Sequence, residues 1–210
     1  YFLMVRTRSG GHAGQRRLYS IANRGDSRQV ELLVRHVMKD DGSQGLMSGW
    51  LCQQAAPGSL VEARVHHNPS FALPDRRAPV ILIGSGTGLA GLRALLQEQL
   101  QHGQPAWLLF GERSPEHDCW LANELDHLPA EQLLVQRCFS RAPTSAAAGY
   151  VQDLLREQPE RLHDWIDRGA SIRVCGSMAM GQAVDSVLQG LLGASAIKQM
   201  ANDGRYRRDI

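Results

Sequence analysis

A glycine-rich segment, Gly84–Ala90, lies between an apolar run typical of a buried strand and a run with helical periodicity. Glycine backbones can approach a pyrophosphate closely, and the N–H groups at a helix N-terminus favour anions. The G-x-G-x-x-G pattern is incomplete, because its third glycine is replaced by Leu89. We predict dinucleotide binding here, with a tight turn as the alternative. The predicted phosphate-binding residues are Gly86, Thr87 and Gly88.

Polar residues and a thiol follow other predicted strands, at the sheet edge where parallel sheets hold ligands. Cys175 and Gly176 end one strand, and a core cysteine is the alternative for the thiol. Ser140 and Arg141 end another strand, where the arginine guanidinium could donate two hydrogen bonds to a phosphate. Exposed surface residues without a function are the alternative. Dehydrogenases also place an acidic residue about twenty positions beyond the glycines, where it binds the ribose. Glu112 lies near that position, and a solvated charge after the strand is the alternative.

A short predicted strand near the start of the chain has side chains that suit a flavin. Arg17 and Tyr19 point to the same side of this strand, and Ser20 follows them. A flavin needs a cation for its phosphates, a ring to stack on and a hydrogen-bond partner for its reactive nitrogen. The alternative is an exposed strand without a function, because the four letters of Arg17–Ser20 also occur by chance.

A second segment whose backbone N–H groups could bind a phosphate precedes a helix-like stretch farther along the chain. Its glycines and serine could expose backbone N–H groups to an anion, and an ordinary helix N-cap at Ser48 is the alternative. The residues of this segment are Gly45, Leu46, Met47 and Ser48.

The surrounding patterns predict two domains, residues 1–76 and 77–210. The first contains short β-type runs separated by glycine, asparagine and aspartate, which predicts a small barrel. Three prolines between positions 68 and 79 indicate an irregular crossing, so we place the boundary near residue 76. The β-type runs cover residues 2–5, 18–21, 30–37 and 59–65.

Strand and helix patterns alternate in the second domain, which predicts a parallel sheet with helices on both faces. The predicted fold class is therefore β + α/β, a partial antiparallel barrel followed by a Rossmann-like domain. The predicted strands are 79–83, 106–110, 133–137 and 171–175, and the predicted helices are 89–100, 150–156, 160–168 and 180–192.

Composition excludes several classes of protein. The net charge of +2 is spread along 210 residues, so no basic face for nucleic acid is expected. No apolar run is long enough to cross a bilayer, so we expect no membrane contact by this segment, although a longer parent could be anchored. Four dispersed cysteines favour a reducing, cytoplasmic location. Scattered histidines predict no metal site, and the absence of a Gly-x-Ser-x-Gly elbow disfavours hydrolases.

Taken in order, these motifs resemble the ferredoxin-NADP reductase superfamily, and in particular its diflavin reductase branch, over essentially the whole chain. The resemblance implies FAD on the first two motifs, and it assigns the 2′-phosphate of NADPH to the segment after Phe139. Glu112 is then not expected to act as the dehydrogenase acid. The implied FAD residues are Arg17, Leu18, Tyr19, Ser20, Gly45, Leu46, Met47 and Ser48; the implied NADP residues are Gly86, Thr87, Gly88, Ser140, Arg141, Tyr150, Gln152, Cys175 and Gly176.

The resemblance also implies that Ser20, Cys175 and Asp209 surround the site of hydride transfer. The chain departs from the family pattern at three positions. Gly91 replaces a proline, and Ala148 replaces a lysine near the 2′-phosphate, so NADPH is favoured over NADH less strongly. The sequence also stops at Ile210, one residue short of the family's terminal aromatic, and only 16 residues precede Arg17, so we expect an incomplete barrel.

The implied activity is hydride transfer from NADPH to FAD, followed by single-electron transfer to an FMN-binding, flavodoxin-like domain on the same or a separate chain. Two alternatives stay open. One is a stand-alone reductase that serves ferredoxin or an iron-containing acceptor, and the other is a non-catalytic nucleotide-sensing module. The final electron acceptor is not predicted.

Overall fold

The computed structural model describes residues 2–6, 16–25, 28–119, 121–142 and 147–210. Its strands form two sheets, one antiparallel with three strands and one parallel with five. The antiparallel sheet comes first in the chain, so the predicted β + α/β fold class is confirmed. The boundary near residue 76 stays a prediction.

The antiparallel sheet has the order β2-β1-β3, with the central strand paired on both sides. Leu3 and Val5 of the central strand point inward and pack with Ile21 and Met47 in a small apolar cluster. A four-residue helix, α1, supplies Met47 and continues as a wider helical turn over Trp50–Gln54. The element bounds are β1 (Phe2–Arg6), β2 (Arg16–Ser20), α1 (Leu46–Gly49) and β3 (Glu62–His66).

The predicted strand over residues 30–37 is wrong. Only isolated bridges occur near it, Ile21 with Leu32 and Met38 with Gln44. Its half-buried Leu32 and Leu33 pack against different apolar clusters, one in each half of the molecule. This packing keeps the segment extended between the two sheets and does not pair it along a neighbouring strand. The extended backbone is instead held by isolated backbone hydrogen bonds, such as the one that Ala22 N–H donates to the carbonyl of Glu31.

The parallel sheet has the order β6-β5-β4-β7-β8, with helices on both faces. Successive residues of its central strand point to opposite faces, so Ile81 packs in one apolar cluster and Leu82 in the other. Both faces are therefore buried, as predicted for a parallel sheet. The strands are β4 (Val80–Ser85), β5 (Ala106–Glu112), β6 (Leu133–Phe139), β7 (Ser171–Cys175) and β8 (Tyr206–Asp209).

Each helix that was predicted in this half is present, and its first and last residues lie within two residues of the prediction. Two further helices and one strand were not predicted. Those are the short α3, the helix α7 and the edge strand β8. Gly193, with φ +86, ends one helix and lets the chain begin the next directly. The helices are α2 (Leu89–Gln101), α3 (Ala122–Asp126), α4 (Val151–Arg156), α5 (Pro159–Asp167), α6 (Met178–Leu192) and α7 (Ala194–Asn202).

A buried arginine ties the crossing segment to the edge of the parallel sheet. Arg173 is 0% exposed, and burial lowers the pKa of its guanidinium to about 10. Its nitrogen atoms donate to the carbonyls of Phe71 and Ala72 in the crossing segment and to those of Gly204 and Arg205 before β8. The guanidinium therefore joins two loops that have no ladder bonds to each other.

A second arginine joins the two halves through helix α2. Arg93 of α2 donates to Glu124 of α3 at 2.8 Å, and also to the carbonyl of Ala22 at 2.9 Å and to Glu31 at 2.6 Å. Because Ala22 and Glu31 belong to the first half, this side chain holds α2 against the segment that follows β2.

We expect Arg173→Met to lower the free energy of unfolding by roughly 3 kcal/mol, because it leaves several buried carbonyls without a donor. Urea denaturation followed by circular dichroism would measure it. Arg76→Met is the matched control; its side chain is 64% exposed in a surface ion pair with Glu98, so its loss should cost less than about 1 kcal/mol. Equal losses in the two variants would contradict this role of Arg173.

Candidate functional site

A cleft of about 1320 Å³ runs between the two halves of the molecule. It is lined by residues of β2, the extended segment after it, α1, and the carboxyl ends of four parallel strands. Of the residues predicted for the site, only Arg141 is outside its lining. The predicted residues that line it are Arg17, Leu18, Tyr19, Ser20, Gly45, Leu46, Met47, Ser48, Gly86, Thr87, Gly88, Ser140, Tyr150, Gln152, Cys175, Gly176 and Asp209.

The glycine-rich loop begins where β4 ends and leads through one tight turn into α2. Gly86 has φ +58, a left-handed conformation that favours glycine. A Cβ on Gly88 would lie 2.2 Å from the carbonyl oxygen of Cys175, so no side chain fits there. The loop therefore packs directly against the end of β7, and this contact fixes where the thiol-bearing strand end meets the cleft.

The thiol and a carboxylate lie side by side at this strand end. β7 and β8 pair in parallel with Cys175 opposite Asp209, and Cys175 Sγ lies 3.8 Å from Asp209 Oδ2. Burial, reinforced by the nearby carboxylate, raises the pKa of the Cys175 thiol to about 12. Burial also raises the pKa of the Asp209 carboxyl above its usual value. The thiol is therefore protonated at neutral pH and acts as a packing surface.

The hydroxyl of Ser20 reaches the same point from the other half. A Cβ on Gly91 would lie 3.8 Å from Ser20 Oγ and 3.8 Å from Cys175 Sγ, so this glycine separates the two side chains. The residue that replaces the family's proline thus lies where the first strand motif meets the parallel sheet. Burial raises the pKa of the Tyr19 hydroxyl, whose half-buried ring lies next to Ser20.

The second glycine segment is tightly folded on itself. A Cβ on Gly45 would lie 2.6 Å from Ser48 Oγ and 2.9 Å from Val37 Cβ. The Val37 N–H donates to Ser48 Oγ at 3.2 Å, and that hydroxyl donates to the Gly45 carbonyl at 3.3 Å. Ser48 is inside α1 and is not its N-cap, so the N-cap alternative is wrong.

Of the residues predicted for the 2′-phosphate, Ser140, Tyr150 and Gln152 line the cleft. Ser140 N–H donates to the Glu112 carbonyl and Arg141 N–H to the Arg113 carbonyl, each at 2.8 Å, so the loops after β5 and β6 are held together. Tyr150 is 58% exposed at the start of α4. Ala148, also exposed, forms a bridge with Phe139, and positions 143–146 of the intervening loop lie outside the described residues.

Glu112 is buried in the cleft wall, which contradicts its alternative as a solvated charge. Its side chain is 2% exposed, and Arg35 Nη2 lies 2.9 Å from its Oε2 and 3.1 Å from its Oε1. Burial raises the pKa of Glu112, and the Arg35 guanidinium opposes that shift. Sequence patterns missed Arg35, because they placed it in the middle of a predicted strand.

The donor set of the cleft fits two dinucleotides. Cationic side chains outnumber carboxylates in the lining, which suits phosphate groups, while leucine, methionine and tyrosine side chains can cover aromatic rings. Of the four cations, only Arg17 was predicted; Arg35, Lys39 and Arg113 were not. The cationic residues are Arg17, Arg35, Lys39 and Arg113, and the carboxylates are Glu112 and Asp209.

Within the described ranges, no group of three or more histidine, cysteine, aspartate or glutamate side chains could hold a metal ion. No helix in the part of the chain that the structure describes is both long and apolar enough to cross a membrane.

The cysteine environments predict a reactivity order. Cys52 is exposed, whereas Cys138 and Cys175 are buried with their pKa raised to about 12 by burial. A raised pKa leaves only about 10⁻⁴ of each buried thiol ionised at pH 8, so iodoacetamide should modify Cys52 at least about a hundredfold faster than Cys175. Peptide mass spectrometry over time would measure this, with denatured protein as the control for intrinsic reactivity. Similar rates in the folded protein would contradict the burial of Cys175.

The chain is similar to known reductases over most of its length. Residues 82–186, half of the 210-residue chain, match the family described as the oxidoreductase NAD-binding domain. Over 92% of its length the chain is 31% identical to the sulfite reductase (NADPH) flavoprotein alpha-component of Sodalis glossinidius. It is 32% identical over the same share to the protein of that name from Yersinia pestis. Over 58% of its length it is 44% identical to the Thiocapsa roseopersicina protein of that name.

The chain covers 35% of the Sodalis and Yersinia proteins and 24% of the Thiocapsa protein. It thus spans about a third of the length of the first curated relatives that it matches. The resemblance to the diflavin branch of the ferredoxin-NADP reductase superfamily is confirmed by these matches. The chain belongs to the oxidoreductase NAD-binding domain family.

Proposed function

We propose that this chain is the FAD- and NADPH-binding module of a flavin oxidoreductase. One observation carries the proposal: the flavin-type and nucleotide-type motifs, which come from different halves, line a single cleft and meet at Ser20, Gly91 and Cys175. Two dinucleotides that share one cleft can bring their reactive rings together, and positioning of this kind is the main contribution of such proteins.

The first half provides the flavin-binding groups. Arg17 supplies a cation for the flavin phosphates, the Tyr19 ring supplies a stacking face, and the segment from Gly45 to Ser48 supplies backbone N–H groups. When bound, FAD supplies the two-electron and one-electron chemistry that amino-acid side chains lack. The exposed, apolar Leu18 and the half-buried Tyr19 line the same cleft as Asp209 of β8, so they can contact a flavin ring bound there.

Three side chains surround the point at which the rings would meet. Ser20 Oγ is placed to hydrogen-bond the reactive nitrogen of the flavin. The protonated Cys175 thiol packs against the nicotinamide, and the Asp209 carboxylate stabilises positive charge as it develops on the nicotinamide ring. Because β7 and β8 are adjacent strands, the thiol and the carboxylate keep a constant spacing.

The adenosine end of NADPH extends to the loops after β5 and β6. Ser140 and Tyr150 line the cleft there and can donate hydrogen bonds to a 2′-phosphate, as can Gln152. Arg141 is exposed just outside the lining and would have to turn inward to contribute its charge. With Ala148 in place of a lysine, we propose a preference for NADPH over NADH that rests on fewer cations than in the family pattern.

The relatives are named as NADPH sulfite reductase flavoprotein components. By analogy, we propose that electrons leave singly for an FMN-binding, flavodoxin-like domain on the same or a separate chain. A ferredoxin-type or iron-containing acceptor is the alternative partner. A cytoplasmic location is part of the proposal and is supported by the free thiols of Cys52, Cys119, Cys138 and Cys175.

The proposal is tested by replacing Ser20 with alanine in the FAD-loaded chain. Loss of a hydrogen bond that strengthens in the transition state should slow flavin reduction by NADPH at least about tenfold. The affinity for NADP⁺ should stay within twofold of wild type, because Ser20 belongs to the flavin half. Anaerobic stopped-flow absorbance near 450 nm would measure the rate, and the change in protein fluorescence on titration would measure the affinity.

Ser70→Ala is the matched control. Ser70 is exposed, donates to Asn68 Oδ1 and lies outside the cleft lining, so its replacement should leave both quantities unchanged. A Ser20→Ala variant that is reduced at the wild-type rate would overturn the assignment of Ser20, and a wild-type chain that binds no FAD would overturn the function itself.

A further inference from the structure

Arg35 is a cation of the first half that reaches into the nucleotide half of the cleft. It lies on the extended segment between β2 and α1, yet its guanidinium contacts Glu112 at the carboxyl end of β5. The same Nη2 lies 3.5 Å from Asp118 Oδ1. Arg35 therefore lies where the two halves face each other across the cleft.

The guanidinium also lies against the glycine-rich loop. A Cβ on Gly86 would be 3.9 Å from Arg35 Cζ and 3.8 Å from Glu112 Oε1, so the backbone of Gly86 faces both charged groups. Gly86 is part of the loop at which a nucleotide pyrophosphate would bind, because its N–H groups start α2. A phosphate held by this loop would have Arg35 as its cationic neighbour.

The two ends of this ion pair are not equally exposed. The Glu112 side chain is 2% exposed, whereas the Arg35 side chain is 32% exposed and lies on a long, flexible stem. Arg35 can therefore turn toward a ligand without moving the buried carboxylate. A pyrophosphate carries more negative charge than a carboxylate and can accept two parallel hydrogen bonds from a guanidinium, which makes it a stronger partner.

We propose that Arg35 is a pyrophosphate ligand for the nicotinamide nucleotide and that Glu112 is its internal substitute anion. In the free protein Glu112 holds the guanidinium beside Gly86. When the nucleotide binds, its pyrophosphate replaces Glu112 as the partner of the guanidinium. Glu112 thus competes with the nucleotide for Arg35 and does not bind the ribose. This inference rests on the proposed function and adds a nucleotide-binding residue from the flavin half.

The test compares the affinity for NADP⁺ in three variants by isothermal titration calorimetry. Arg35→Met should weaken NADP⁺ binding at least about tenfold, as expected for a lost hydrogen bond between charged groups. Glu112→Gln should tighten it severalfold, because the closer of the two carboxylates that pair with Arg35 loses its charge and the amide keeps the shape of the side chain. Arg28→Met, an exposed arginine on the same segment and outside the cleft lining, should leave it unchanged.

2′-AMP serves as a second probe, because it has the 2′-phosphate but no pyrophosphate. Its affinity should be the same in wild type and Arg35→Met. In the double variant the Glu112→Gln substitution should no longer tighten NADP⁺ binding, since there is no Arg35 to release. Thermal unfolding of each variant separates a folding defect from a loss of binding, and Arg35→Lys should retain part of the affinity.

The sign of the Glu112→Gln effect decides between two roles. Weaker NADP⁺ binding in Glu112→Gln would mean that the carboxylate contacts the nucleotide directly, and it would overturn the proposal. Wild-type affinity in Arg35→Met, with loss only of FAD, would also overturn it and assign Arg35 to the flavin. If the wild-type chain binds neither NADP⁺ nor 2′-AMP, the proposed function fails together with this inference.

Discussion

The cleft depends on a backbone contact between the start of α2 and the end of β7. A Cβ on Gly88 would lie 2.2 Å from the carbonyl oxygen of Cys175, and a Cβ on Gly84 would lie 2.9 Å from the same atom. Any side chain at these positions would push the strand end away from the loop. Because neither position has a side chain, the glycine-rich loop, the thiol of Cys175 and the carboxylate of Asp209 meet at one edge of the sheet. One helical turn later, Gly91 lies between Ser20 of the other half and the thiol of Cys175.

Two arginines hold the halves in the positions that this contact requires. Arg173 donates hydrogen bonds to carbonyls within the crossing segment and to carbonyls just before β8, and so stabilises the strand that carries Asp209. Arg93 joins α2 to the segment after β2, which places Ser20 beside the helix. A third arginine, Arg35, spans the cleft itself and lies where a bound nucleotide can compete for it. Arg173 and Arg93, which are buried or nearly so, thus stabilise the structure, whereas the more exposed Arg35 is the arginine that we propose binds the ligand.

Much of this arrangement could be predicted from local patterns. The glycine-rich turn, the strand ends at Cys175 and Ser140, and the parallel sheet follow from apolar runs that are bounded by glycine. The roles of Asp209 and Tyr150 came only through the family resemblance, because a short edge strand and a loop have no periodicity of their own. Arg35 was missed for a different reason: its segment has the composition of a strand, but tertiary packing leaves it extended and unpaired with a sheet. Long-range pairs such as Arg35 with Glu112 leave no local signal.

The most direct test of a shared cleft for both dinucleotides is an anaerobic single turnover of the FAD-loaded chain alone, with NADPH deuterated at C4 in either of its two configurations. The flavin absorbance should bleach without any added protein. Only one of the two deuterated forms should slow the bleaching, because one cleft presents one face of the nicotinamide to the flavin. Absence of bleaching, or bleaching only after a second protein is added, would contradict the claim that the two halves form a complete site for hydride transfer.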